Sequence, residues 1–212
     1  QFPDRTQAVV ADLDQSTLAF YVTDSNGLAW HYITIVARDE NQRFGRYAYQ
    51  RLLRLPSGRL QCYMVHLAGT RCQTLEMNYS DDGGFSWSTP KPIVRWGESP
   101  WTKLPLDQVW KESIAGPFYR SPWPLQLADG RIAVIFARRK RPFGMGLILS
   151  EDQGATWSAE SVIRADASDW DLGYPVATQL DDDRIFTAYY YMENDGNKFG
   201  GSRYIAGSFF AL

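Results

Sequence analysis

The residues able to do chemistry in this chain are arginines, tyrosines and carboxylates rather than metal ligands or activated serines. The two histidines, His31 and His66, stand apart, and neither a Cys-x-x-Cys nor a His-Glu-x-x-His spacing occurs, so no metal is expected. A Gly-x-Gly-x-x-Gly fingerprint, a phosphate loop and a Gly-x-Ser-x-Gly elbow are all missing, so neither a cofactor nor a serine nucleophile is expected. Arginines, tyrosines and carboxylates remain, among them Arg120, Arg203, the Arg138/Arg139/Arg141 group, Glu112, Glu193, Asp169, Asp171 and Tyr174 in a Gly-Tyr-Pro segment. A guanidinium fork holds a carboxylate through two parallel hydrogen bonds, which a lysine cannot imitate. Each of these residues also has a plainer reading: an ion pair between loops for Arg120, packing at the start of a strand for Tyr174, a solvated turn for residues 138–141.

The elements that must position these residues are strands. Hydrophobic residues make up 44% of the 212, enough for a buried core and too many for disorder. The longest apolar runs are strand-sized, so no membrane-spanning helix is expected. No charged-then-apolar leader precedes Gln1, and a secretory signal is read as absent or removed. Lys plus Arg (22) nearly balance Asp plus Glu (24), which argues against a nucleic-acid surface with its basic face. Two cysteines are too few for a disulfide framework; Cys62 and Cys72 read as unpaired.

Internal repeats carry the organisation. Three segments align on a polar turn followed by Arg: Tyr49-Gln-Arg-Leu-Leu-Arg-Leu-Pro-Ser-Gly58-Arg-Leu, Ser121-Pro-Trp-Pro-Leu-Gln-Leu-Ala-Asp-Gly130-Arg-Ile and Tyr174-Pro-Val-Ala-Thr-Gln-Leu-Asp-Asp-Asp183-Arg-Ile. A weaker copy precedes them around Ser16. The turns fall at 16, 58, 130 and 183, the spacing of small antiparallel sheets, with no helical periodicity of comparable strength. This predicts an all-β fold of four modules, approximately 7–37, 47–96, 117–165 and 172–212, in one domain.

A second repeated element follows in two modules. Residues 80–87 read Ser-Asp-Asp-Gly-Gly-Phe-Ser-Trp and residues 150–157 read Ser-Glu-Asp-Gln-Gly-Ala-Thr-Trp. Asp82 and Asp152 are placed to accept hydrogen bonds from turn amides, and Gly84 and Gly154 to take positive φ. The reading of these aspartates is structural. Thr23-Asp-Ser-Asn-Gly-Leu-Ala-Trp30 is similar but follows the second strand of its module, and reads as an Asn-Gly hairpin turn.

The eight-residue element resembles the Asp box, or bacterial neuraminidase repeat. Together with Arg141-Pro-Phe-Gly, Asp171-Leu-Gly-Tyr-Pro175 and Arg203-Tyr-Ile-Ala it makes residues 45–212 resemble the sialidase (neuraminidase) superfamily β-propeller. That resemblance implies a secreted or periplasmic glycosidase, a cytoplasmic location not being excluded. It also implies a terminal acidic sugar of a glycan as substrate, held by arginines and attacked by a tyrosine with a Glu as its base and an Asp as general acid. Tyr119-Arg120-Ser121-Pro122 is similar to the family's [Phe/Tyr]-Arg-Ile-Pro motif, although here it stands in the third module. The implied roles are Arg120, Arg141 and Arg203 for the carboxylate, Tyr174 for attack, Glu112 or Glu193 as base, and Asp171 as acid.

Strand order would put the short turns and Asp boxes on one face and the long segments 38–48, 67–73, 97–120, 138–145, 166–173 and 193–202 on the other, where a site is expected. Family members have six blades; four modules make either a small closed ring or part of a larger one, completed by another chain or a further segment. Two alternative functions stay open. One is a polysaccharide lyase acting beside a uronic acid, in which His66 would gain weight. The other is a non-catalytic module stacking sugars on Trp96, Trp101, Trp110 or Trp123.

Overall fold

The computed structural model describes residues 7–14, 16–24, 26–40, 46–68, 72–95, 118–139, 141–196 and 201–212. Fourteen strands form four antiparallel sheets, with no helix among the described residues. The first sheet is β1 (Ala8–Asp14), β2 (Thr17–Thr23) and β3 (Trp30–Arg38). The second is β4 (Arg46–Arg54), β5 (Leu60–Ala68), β6 (Cys72–Ser80) and β7 (Lys91–Arg95). The third is β8 (Phe118–Gln126), β9 (Ile132–Arg139), β10 (Phe143–Ser150) and β11 (Ser161–Ala167), and the fourth is β12 (Gly173–Gln179), β13 (Ile185–Glu193) and β14 (Ser202–Phe210). The opening strands β1, β4, β8 and β12 lie side by side, so the sheets radiate as propeller blades.

The core is three apolar layers between successive sheets. Phe20, Leu18 and Val36 meet Leu60, Cys62 and Met64 in the first. Tyr63, Val65 and Leu75 meet Ile132, Val134 and Phe136 in the second, and Ala133, Ile135 and Ala137 meet Ile185, Tyr189 and Tyr191 in the third. Successive side chains of a strand point to opposite faces, and β9 has a blade on each side. All eight of its residues are buried, and for that reason its sequence is a continuous apolar run rather than an alternation. Cys62 lies in such a layer with its thiol free; it pairs across the ladder with Asn78, while Cys72 faces Ala68.

The three aligned turns are one structure. Leu55, Leu127 and Leu180 each bond through N–H to the carbonyl of the Arg four residues on, at 2.8–2.9 Å, and accept from Gly58, Gly130 and Asp183 in turn. Those three residues have φ of +92°, +91° and +64°. The Thr23–Trp30 segment joins β2 to β3, with the Asp24 carboxylate accepting from the amides of Asn26 and Leu28.

The aspartate turns bind each blade to the one before it. Asp82 accepts from the Ser86 amide (3.0 Å), the Ser86 hydroxyl (2.6 Å) and the Ser80 hydroxyl (2.7 Å), while Ser80 Oγ accepts from the Gly84 amide. Asp152, Thr156, Ser150 and Gly154 repeat the arrangement. The Thr156 hydroxyl, then its amide and Ser150, pull the Asp152 carboxyl down to about 2. Gly84 is driven against the previous blade: a Cβ there would stand 2.2 Å from Phe20 Cε1, and Trp87 packs edge-on against the same ring. Gly154 abuts Met77, and Gln61 Nε2 donates to the Gln153 carbonyl at 2.6 Å.

The first two blades are also joined by His66, whose Nδ1 faces Glu76 and whose Nε2 faces Asp39, both at 3.1 Å, with the ring stacked on Tyr47. Burial disfavours the imidazolium, but hydrogen bonds and charge from Glu76 and then Asp39 outweigh it, so the His66 pKa is raised.

Two outcomes are expected. Gly84→Ala should cost about 2–4 kcal/mol, combining left-handed strain with overpacking against a fully buried ring. Gly83→Ala, at φ +75° with nothing near its Cβ, should cost only about 1–2 kcal/mol; equal denaturation midpoints for the two would refute the docking role. For His66, a pKa raised in the folded state means stabilisation that is complete below the unfolded value near 6.5 and lost as pH rises through the folded value. Thermal melts from pH 6 upward should show that decline in the wild type and lose it in His66→Gln.

Candidate functional site

At the same point in three opening strands the ladder is interrupted. The register shifts between Ala48 and Arg51 in β4, between Arg120 and Trp123 in β8, and between Gly173 and Val176 in β12. Tyr49, Ser121 and Tyr174, the first residues of the three aligned repeats, sit in these bulges with φ of +58°, +52° and +51°. Left-handed backbone at a non-glycine residue costs roughly 1–3 kcal/mol and is characteristic of positions held for function. A bulge re-aims the side chains around it, and here it turns residues of three blades toward one another.

Tyr49 and Tyr174 meet edge-to-face with ring centroids 5.7 Å apart and share a hydrogen bond between their hydroxyls. Arg120, immediately before the bulge of β8, donates from Nη1 to Tyr49 Oη at 2.5 Å, with its guanidinium 4.9 Å from the ring centroid. Tyr190 of β13 packs on the other side of Tyr174 at 5.8 Å. Arg139, at the end of β9, donates to Tyr190 Oη (2.8 Å) and to the Leu172 carbonyl, and lies over Trp170. Tyr190 Oη in turn donates to Asp171 at 2.7 Å, and Arg203 Nε donates to the other oxygen of Asp171 at 2.7 Å.

The electrostatics follow from this crowding. Burial lowers the proton affinity of Arg120, with the charges of Arg139 and Arg46 acting in the same direction and Tyr49 opposing them. Burial, then the hydrogen bond to Tyr49, raises Tyr174, while Arg139 and Arg120 pull it down. Burial and then Asp171 raise Tyr190. Burial works against ionised Asp171, yet Tyr190 and Arg203 hold its carboxyl below the usual range. Asp171 therefore orients Arg203 and Tyr190 and is poorly suited to delivering a proton. The mouth is cationic and aromatic, and Tyr174 is 48% exposed, so a solute can reach it.

Among the residues singled out from sequence, Arg120, Tyr174, Asp171 and Arg203 belong to one connected cluster. Arg141 is exposed and stacks on Phe143 at 5.0 Å; the place expected for it is taken by Arg139. Glu193 is exposed at the end of β13, opposite Ser202, and contacts none of the cluster among the described residues. Glu112 lies outside the described residues, as do Trp96, Trp101 and Trp110. Trp123 donates its indole N–H to the Ala177 carbonyl and ties β8 to β12. Both ring nitrogens of His66 are engaged by carboxylates, leaving no lone pair to act as a base. His31 is exposed on β3. Sequence reading missed Arg46, Tyr49 and Tyr190; the signal for Tyr49 was present, since it opens its repeat as Tyr174 opens another.

No family model matches the sequence, and no curated protein sequence does. Solved structures do match. A protein of unknown function from Dyadobacter fermentans superposes with a TM-score of 0.70 at 24% identity, covering 96% of this chain and 49% of the other. The GH93 α-L-arabinofuranosidase of Fusarium graminearum, in complex with arabinobiose, gives 0.68 at 14% identity over 99% of this chain and 59% of that one. The Hadza microbial sialidase gives 0.63 at 13% identity over 97% and 42%. The chain spans about half the length of these structures. It shares their β-propeller fold.

Proposed function

We propose that the chain is the site-bearing part of a sialidase-like, carbohydrate-active propeller that acts on an acidic sugar of a glycan. The observation that carries this reading is the convergence of Arg120 and Arg139 on Tyr49, Tyr174 and Tyr190 at the mouth of the blades. A sugar carboxylate entering there would be received by guanidinium groups that are partly desolvated, where charge-assisted hydrogen bonds are strongest. The paired aspartate turns, which resemble the Asp-box repeat of the sialidase superfamily, fit the same reading. Fold likeness to glycosidases supports carbohydrate chemistry as analogy, because function resides in the site and not in the scaffold.

Within this reading Tyr174 attacks the sugar carbon next to the carboxylate. A neutral phenol suits that task better than a carboxylate, since the arginine-bound substrate carries its own negative charge. The expected reaction is exo-hydrolysis of a sialic-acid-type residue. The alternative is a lyase reaction beside a uronic acid, in which arginine neutralises the carboxylate and an ionised tyrosine removes the proton α to it.

Incubation with sialylated glycans and with uronate-containing polysaccharides separates these outcomes. Free sialic acid supports hydrolysis, an unsaturated uronate absorbing in the ultraviolet supports elimination, and unchanged glycan that still binds removes the enzymatic reading. Tyr174→Phe should abolish either turnover while leaving binding within about 3-fold, because one hydroxyl is lost from the reacting position and no binding contact is.

A further inference from the structure

The end of the blades opposite the mouth holds a cavity of about 280 Å³, between the aspartate turn of the third sheet and the outermost strand of the second. Tyr79, Trp157 and, from β7, Pro92 and Ile93 give it an aromatic and apolar lining, to which Ser88 and Lys91 add polar groups. The aspartate turn of the second sheet faces no such strand, because the first sheet ends at β3 among the described residues.

The two aspartate turns differ at one atom. Trp87 donates its indole N–H to the Gly84 carbonyl at 3.1 Å. Trp157, at the same place in the other turn, has its indole nitrogen buried with no acceptor among the described residues. A buried indole N–H ordinarily finds a partner, and here the open space beside it is the cavity. Ser88 adds a second unused donor. Its Oγ accepts from the Tyr79 amide at 3.1 Å, but among the described residues its own proton has no acceptor, whereas the equivalent Ser158 donates to the Ala159 carbonyl at 2.8 Å. Lys91 makes no ion pair among the described residues. Arg59, by contrast, is held by both oxygens of Asp81 and stacks 4.2 Å from the Tyr79 ring centroid, so it braces the wall. No carboxylate is among the lining residues.

We propose that this cavity is a second binding site, which takes one acidic sugar unit. A pyranose has an apolar C–H face and a rim of acceptor oxygens, and the lining offers the complement of both. The C–H face packs on Tyr79 and Trp157, hydroxyl oxygens accept from Trp157 Nε1 and Ser88, and the carboxylate meets Lys91. The volume lies just below the roughly 300–1,000 Å³ usual for ligand sites, which admits a single ring and no longer segment. The site stands at the far end of the strands from Tyr174, so the inference is independent of the reaction at the mouth.

Nuclear magnetic resonance of the nitrogen-labelled protein tests this directly. The indole N–H signal of Trp157, identified by its loss in Trp157→Phe, should move downfield and saturate on titration with D-glucuronate. Lys91→Gln, an exposed change on β7, should raise the Kd read from that signal by about 10-fold or more, the scale of a lost charge-assisted hydrogen bond. Neutral D-glucose should bind the wild type more weakly by a similar factor, and Arg120→Gln at the mouth should leave the Trp157 response unchanged. Thermal melts confirm that each variant is folded. An oligomer of the same uronate that binds at least as tightly identifies a unit within a chain as the occupant; weaker binding identifies the free sugar. A Trp157 signal that does not move with glucuronate would overturn the proposal, as would equal affinities in the wild type and Lys91→Gln. Either result leaves the reading of the mouth untouched, and wild-type inactivity on every acidic glycan would leave this site standing.

Discussion

The blades are held at their angles by a contact that permits no side chain. At each aspartate turn the carboxylate gathers two hydroxyls and a backbone amide, and this fixes the chain so that a glycine reaches the neighbouring sheet. Gly84 touches Phe20 and Gly154 touches Met77. Charge-assisted hydrogen bonds of this kind are short and directional, and the interiors they abut are close-packed. The turn therefore acts as a spacer of fixed height between blades. Everything at the opposite mouth, including which side chains of β4, β8 and β12 can touch, depends on that spacing.

The opening strands show the second constraint. In a regular ladder successive side chains would alternate strictly between the two inter-blade layers. The bulge and the left-handed residue free Tyr49, Ser121 and Tyr174 from that alternation. Strain of this sort persists only where the surroundings over-determine it, and the regular pairings on both sides of each bulge do so. Backbone strain is thus held at the one place where side chains from three blades converge.

Convergence also brings like charges close together. Asp171 engages Arg203 and, more loosely, Arg139 at 3.9 Å, while Arg120 is met by a phenol and by the repulsion of Arg139 and Arg46. His66 illustrates the contrary case. Its two carboxylates and Tyr47 satisfy it fully, so it serves as an inter-blade clamp despite lying at the end of a strand near the long segments.

The repeated Leu-x-x-Gly/Asp-Arg turns and the two aspartate turns were legible because they are local: every hydrogen bond in them spans fewer than ten residues, and residue type alone selects the geometry. They determined the all-β class, the blade modules and the face on which chemistry was expected. Arg120, Asp171, Tyr174 and Arg203 could be named because the short segments that carry them resemble motifs of the sialidase superfamily. The sequence could not choose Arg139 over Arg141, since the choice depends on which of two nearby side chains the end of β9 directs at Tyr190. Nor could it join Tyr49 to Tyr174 across 125 positions, because that contact exists only once the blades are set at their angles and both strands are bulged. Local hydrogen bonding wrote the modules into the chain; non-local packing alone decided which residues meet between them.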